Sequence, residues 1–504
     1  MPQKPQRPKA APRPAATAAA PPASGPGAWL RWSEPFLIPV FLMLVARIVY
    51  AYFIPAAAED AYITFRYARN FANGHGLVFN PGERVMGFTS PLWTLWMSLG
   101  FLIRMDSVLW SRLAAIGADV VTLVLVAAAL RRTVSRASAW CFALFFAGWP
   151  YFAAMATSGM ENNLMLMLMA LSAVLVERRH PAAPGALAAL AYSRPEGVVA
   201  AAILALGARR RDALVAAAIT AAAYLPLLLY YGSVIPQSVF AKSHIYGTPG
   251  PLSGSTWWIW LIPRPYVRGS KVVENGHLVT LAVFFTPALI VGARRVWALR
   301  QSALARLSLA GVVIWIGYSL LGVAYFYWYL MAPLAALAIV ACTGLPELVR
   351  GRWLWASLIA YLTGVCWDGL PIYFSRSQIE FTGFVGVADY LTQHAHPGEK
   401  AFLEPIGMIG FECPLVIVDE IGLVSPEVAR RRLQGPGWYT DIVALKQPDW
   451  LVMRRILMSG QSWAGTGAPF RGPEDRAQLL ARYAVVDTVA GDRGDQALLI
   501  LRRQ

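Results

Sequence analysis

Apolar runs of about 16 to 22 residues recur along most of this chain, and few of them carry a charge. Such runs match the ~30 Å hydrocarbon core of a bilayer at ~1.5 Å per helical residue. With 57% hydrophobic and 14% charged residues among 504, the chain reads as an α-helical polytopic membrane protein, and a soluble enzyme is excluded. Its formal net charge of +16 would suggest nucleic acid in a soluble domain. Here many arginines stand in short loops between apolar runs, where they set orientation, so membrane lipids rather than nucleic acid are the expected partners. Cys141, Cys342, Cys366 and Cys413 are scattered, and they form neither a CxxC metal motif nor a disulfide framework.

Residues 1–35, rich in Pro and Ala with five Lys or Arg, are expected to be a disordered cytoplasmic tail. The run 36–55 lacks a convincing cleavage site and is expected to be an uncleaved first span. Arginine clusters at 131–136, 178–179, 209–211, 294–300 and 350–352 belong in the cytoplasm by the positive-inside rule. The non-apolar motifs fall midway between them and so outside: the loop 56–88, "TSGMENN" (157–163), "YSRPEG" (192–197), "PQSVFAKSH" (236–244) and "YFYWY" (325–329). Roughly eleven spans are expected over 36–374; either 89–103 enters without crossing fully, which is preferred, or the Arg131 cluster breaks the rule, and the short flanks of "YSRPEG" are unable to cross alone. A larger outer segment, 232–277, contains "STWWIWLIP", which fits an interfacial helix. From 375 to 504 the composition changes. Short apolar strands at 415–419, 450–454 and 497–503 and helices at 425–434 and 474–482 predict an extracytoplasmic α/β domain.

A carboxylate near a span end usually starts a helix, and a cation there usually snorkels to head groups. The first outer loop is such a helix by its spacing: Asp60, Thr64 and Tyr67 share one face, Arg66, Asn70 and Asn73 another, and Gly74 and Gly76 close it. Convergence adds a chemical reading. Outer motifs supply carboxylates (Glu59, Asp60, Glu161, Glu196), cations (Arg66, Arg69, Arg194, Lys242, His244) and tyrosines (Tyr325, Tyr327, Tyr329). That inventory suits a phosphate-bearing substrate and a hydroxyl to be deprotonated. Arg66, Arg194, Lys242 and His244 are the candidates for the phosphate. Tyr67, Asn70, Glu161, Glu196, Tyr325 and Tyr329 are the candidates for the rest of the substrate. Neither GxxxxGK[ST] nor a strand-linked GxGxxG is present, so no nucleotide cradle is expected.

The stretch "EDAYITFRYARNFANGHGLVFNPGERVMGFTSPLW" (59–93) resembles the first extracytoplasmic loop of GT-C superfamily glycosyltransferases, most closely the mycobacterial terminal arabinofuranosyltransferases and their bacterial relatives. "SGMEN", "SRPEG", "PQSVFAK" and "IGMIGFECPLVIVDEIGLVSPEVA" resemble further blocks of that group. The resemblance implies transfer of a sugar from a polyprenyl-phosphate donor to a hydroxyl of a glycan or glycolipid acceptor, usually with inversion, at the outer face of a bacterial inner membrane. It leaves open whether the sugar is arabinofuranose or another pentose or hexose. It implies Asp60 as general base, Glu59 as assistant or ligand of a divalent cation, and Lys242 with Arg194 at the lipid phosphate. Glu59 departs from the family's aspartate, which keeps the carboxylate and lengthens its arm. A transporter or lipid-linked-glycan flippase is the alternative, on the strength of intramembrane Arg47 and the Pro and Gly interruptions.

Overall fold

The computed structural model describes residues 36–246, 276–320, 326–460, 467–489 and 497–504, without the side chains of 276–285, 365 and 367–381. The expected tail 1–35, the "STWWIWLIP" helix and Tyr325 lie outside the described residues.

Helices dominate as far as His394. Among the described residues, four stretches are long and apolar enough to cross a membrane: Ser107–Thr133, Arg210–Tyr231, Ala303–Leu320 and Tyr327–Leu348. Helices Arg136–Gly148 and Pro150–Thr157, bent by 56°, make a fifth if they are one span. That is fewer than the eleven or so expected, and shorter apolar helices such as Leu37–Phe53 and Asn162–Glu177 stand beside them. Small residues let these helices approach closely: a Cβ on Gly292 would run into the Val340 carbonyl, and one on Gly344 into that of Ala288.

Arg47, in helix Leu37–Phe53, is fully buried. Its Nη2 lies 3.0 Å from Asp119 Oδ2, and the guanidinium donates to the carbonyls of Ala147 (2.7 Å) and Phe146 (3.1 Å). Those carbonyls end the helix that Pro150 interrupts. A helix end leaves carbonyls without intrahelical donors and proline brings no N–H, so the buried cation satisfies them. Arg47, one of the features that favoured a transporter in the sequence, is thus bonded to Asp119 and to a helix end.

Several helices are too short to cross alone. Pro91–Leu102 has 12 residues and rises about 18 Å. Arg194 joins Ala183–Ser193 and Pro195–Ala205, each of 11 residues and about 16 Å.

One 43-residue helix, Arg352–His394, runs through the expected boundary at 374. Polar residues end a membrane span but do not break a helix, so the break falls later, and strand β1 (Lys400–Leu403) follows. With β2 (Val416–Asp419), β3 (Trp450–Arg454), β4 (Tyr483–Val489) and β5 (Leu498–Arg503) it forms a mixed sheet of order β2-β1-β3-β5-β4. β1 is parallel to β2 and β3, whereas β5 is antiparallel to β3 and β4.

Candidate active site

The first outer loop begins with helix Glu59–Ala72, whose first turn carries Glu59 and Asp60. Arg112 fixes its approach by donating to the carbonyls of Ile54 (2.6 Å), Ala56 (2.9 Å) and Thr157 (3.1 Å). Ile54 caps one helix and Thr157 ends another, where a cation is favoured and carbonyls need donors. The Ala58 N–H then donates to the Ser158 carbonyl at 2.7 Å. Gly159, at φ +80°, brings "SGMEN" against this turn: a Cβ there would lie 2.9 Å from Ala57 Cβ and 3.0 Å from Ala61 Cβ. Asp60 and Glu161 are thereby held on the same cavity.

That cavity is lined by Asp60, Ile63, Thr64, Gly87, Phe88, Thr89, Ser90, Met160, Glu161, Arg194, Ser238, Lys242, Trp328, Tyr329 and Leu423. Five of the outer motifs and the loop after β2 thus meet at one place. Lys242 Nζ sits 2.8 Å from Asp60 Oδ2, and 4.8 Å and 5.5 Å from the ring centres of Phe326 and Trp328. Burial alone would lower the Lys242 pKa, but the Asp60 charge outweighs it and holds the ammonium above the usual lysine range. Arg194 is only 3% exposed and donates to both Glu161 and Glu196, with its guanidinium 5.8 Å from the Tyr329 ring centre. Asn162 donates to the Trp328 carbonyl at 2.6 Å, which anchors the turn that presents Trp328 and Tyr329.

Asp60, Lys242, Arg194, Glu161 and Tyr329 come together as the motifs suggested, but Arg194 is already held by two carboxylates. Other candidates are elsewhere. Arg66 is not at the cavity: it donates to the carbonyls of Phe79 (2.8 Å), Leu415 (2.7 Å) and Gly410, and to Asn80 Oδ1 (3.2 Å). Asn70 donates to the carbonyls of Val78 and Phe79, both at 2.9 Å. Tyr67 donates to Val85 O (2.6 Å) and accepts from Gly87 N–H (2.9 Å) beneath the cavity wall. Glu196 holds Arg194 from behind and is not on the wall. His244 is exposed and its ring stacks on Phe240 at 4.3 Å, because two residues along a helix turn it away from Lys242.

Glu59, beside Asp60 in sequence, has a different partner. Its Oε1 accepts from the Gly407 N–H, and a Cβ on Gly407 would run into the Glu59 carbonyl. Burial first, then the charges of Asp60 and Glu404, push the Glu59 carboxyl well above its ordinary pKa, against the pull of that N–H. The acidic pair therefore faces two different partners, Lys242 and Gly407. Among the described residues no three His, Cys, Asp or Glu side chains are grouped to hold a metal ion.

Ser238, Thr89, Ser90, Trp328 and Leu423 line the cavity without having been singled out in the sequence. "PQSVFAK", "GFTS" and "YFYWY" contain all but Leu423, so the signal was the block and not the residue type. Leu423 sits on the loop after β2, held where the Asp419 carboxylate accepts from Ile421 N–H (2.8 Å) and Val424 N–H (3.0 Å).

Against known proteins, residues 372–500 match the model of a domain of unknown function (DUF8728). No curated protein matches the sequence. The fold is shared with ArnT from Cupriavidus metallidurans bound to undecaprenyl phosphate: TM-score 0.58 and 12% identity, covering 93% of this chain and 98% of that one. It is also shared with the oligosaccharyltransferase AglB from Archaeoglobus fulgidus in complex with an inhibitory peptide and a dolichol-phosphate: TM-score 0.53 and 11% identity, covering 85% and 70%. A further structure of the Archaeoglobus fulgidus oligosaccharyltransferase, tethered to an acceptor peptide, gives TM-score 0.54 at 11% identity over 93% and 76%. The chain therefore shares the helical fold of these proteins and has apolar helices of membrane-crossing length.

Proposed function

We propose that the chain is a membrane glycosyltransferase that moves a sugar from a polyprenyl-phosphate donor to an acceptor hydroxyl of a cell-envelope glycan or glycolipid. The observation that carries this is the Lys242–Asp60 pair, a cation and a carboxylate 2.8 Å apart on a cavity built from the outer motifs. Asp60 takes the proton of the acceptor hydroxyl. The acceptor oxygen bonds to the anomeric carbon as the bond from that carbon to the phosphate oxygen breaks. The departing phosphate keeps the electron pair, and Lys242 meets its charge. Displacement from the face opposite the phosphate inverts the anomeric centre. The same fold in proteins whose structures hold undecaprenyl phosphate or dolichol-phosphate supports a lipid-phosphate donor.

In the resting pair, Asp60 is neutralised by the ammonium. A phosphate that draws Lys242 toward itself leaves Asp60 free to accept a proton, so donor binding arms the base. Arg194, held by Glu161 and Glu196, shapes the floor without turning toward the phosphate. Binding of undecaprenyl phosphate to purified protein in nanodiscs tests the assignment. Lys242→Ala is expected to weaken it about tenfold or more, since a charge-assisted bond to phosphate contributes ~1.5 to 3 kcal/mol. Unchanged affinity in a folded variant would remove Lys242 from the phosphate site.

A further inference from the structure

We infer that Ser238, together with Thr64, Thr89 and Ser90, forms a wall that binds the ring hydroxyls of an uncharged sugar; this rests on the donor reading above. Ser238 is 3% exposed, and its Oγ has no hydrogen-bond partner among the described residues, yet the residue lines the cavity. A buried hydroxyl without a partner is destabilising, and interiors rarely keep one. One rotamer change reaches a ligand that fills the adjoining space, because a serine hydroxyl is free to turn among staggered positions.

The backbone sets Ser238 beside the other hydroxyls. Gln237 N–H donates to the Met86 carbonyl at 2.7 Å, directly before the Gly87–Ser90 strip, and Gln237 Nε2 donates to the Gly422 carbonyl at 3.0 Å. Thr64 lies one helical turn after Asp60, on the same face. Four hydroxyl-bearing residues thus line a cavity with Asp60 and Lys242. Each can donate and accept, which is the pattern that sugar hydroxyls require of a partner.

Charge on the wall narrows the sugar. Arg194 is held by Glu161 and Glu196, and the phosphate takes Lys242. A uronic acid would then place a carboxylate among carboxylates with no cation left to pair it, which is strongly unfavourable in a buried site. An uncharged ring meets hydroxyls instead.

Purified protein would be titrated with undecaprenyl phosphate alone and with undecaprenyl phosphate carrying arabinofuranose, mannose, glucose or glucuronic acid. At least one neutral-sugar donor is expected to bind better than bare undecaprenyl phosphate, and the glucose donor better than the glucuronate donor. Ser238→Ala should weaken the best neutral donor by about fivefold to tenfold and leave bare undecaprenyl phosphate within about twofold. Without ligand, its Tm should equal or exceed that of the parent, because an orphan hydroxyl is removed. An equal effect on both ligands, a preference for glucuronate, or a fall in ligand-free Tm with no sugar-dependent loss would overturn the hydroxyl wall alone. If bare undecaprenyl phosphate fails to bind the parent protein, the donor reading falls and takes this inference with it.

Discussion

Glu59 and Asp60 are neighbours in sequence with the same functional group, yet their surroundings divide their tasks. Asp60 faces a cation inside the cavity, whereas Glu59 accepts a backbone N–H from the start of helix Gly407–Glu412. Glu59 has a folded-state pKa raised above its unfolded value, so its protonated form is the one the fold favours. Its contribution is full below the ordinary carboxylate range and is lost as pH rises through the elevated value. Glu59→Gln keeps an oxygen for the Gly407 N–H and carries no charge. The Tm of this variant should therefore fall less than the parent's as pH is raised above the carboxylate range, with turnover largely kept. A parallel fall in both proteins would remove Glu59 from the pH dependence, and a collapse of turnover would return it to the chemistry.

At the scale of elements, the most specific block of the sequence is mainly a docking device. Besides Arg66, Asn80 Nδ2 donates to the Ile417 carbonyl (2.8 Å) and Asn80 Oδ1 accepts from Ile417 N–H (3.0 Å). Arg69 donates to the Phe411 carbonyl at 2.7 Å and stacks over its ring at 4.2 Å. The outer loop and the segment around β2 are thus bonded backbone to side chain across their length. Arg66→Ala leaves several buried carbonyls without donors and should cost roughly 2 to 4 kcal/mol of stability. Arg66→Lys should recover only part of it, because an ammonium cannot match the planar fork. Thermal unfolding with donor binding per folded molecule checks this: weaker undecaprenyl phosphate binding at unchanged Tm would contradict the docking role.

The same elements mark what the sequence could disclose. β2, β3 and β5 lie within one residue of the stretches expected at 415–419, 450–454 and 497–503, since a dense apolar run bounded by polar residues is a local signal. β1 has only four residues, too few for alternation to register. β4 breaks its alternation at an irregularity between Val485 and Asp487. In the site, Asp60, Lys242, Glu161, Arg194 and Tyr329 were visible as charged or aromatic residues in outer motifs. The use of Arg66 was not, because its partner Gly410 is 344 residues away and is a backbone carbonyl. Ser238 was silent for a similar reason: its distinction is burial without a partner, which only packing reveals.

At the scale of the whole molecule, helix Asn162–Glu177 has arginine-bearing loops at one end and the cavity at the other. Arg132 bonds to Glu177 at 2.5 Å, and the Ala303 N–H donates to the same carboxylate at 3.0 Å, so three loops meet on one face. Helix Asn162–Glu177 then rises about 24 Å to Glu161 on the cavity. Under the positive-inside rule this arrangement is expected to face the cavity and the sheet away from the cytoplasm. Alkaline phosphatase fused after Gln504 should be active and a cytoplasmic reporter at the same point dark; the opposite pattern would invert the orientation. The central claim is that Asp60 is the base. Its plain alternative is an ion-pair carboxylate that steadies the loop, whose loss lowers Tm and spares turnover. Single-turnover transfer from a neutral-sugar undecaprenyl-phosphate donor to an envelope-glycan acceptor, with the parent protein and Asp60→Asn compared at saturating donor, decides between them. A fall of about 10² to 10⁴ in the transfer rate with donor binding kept is the result predicted, and transfer at near the parent rate would contradict it.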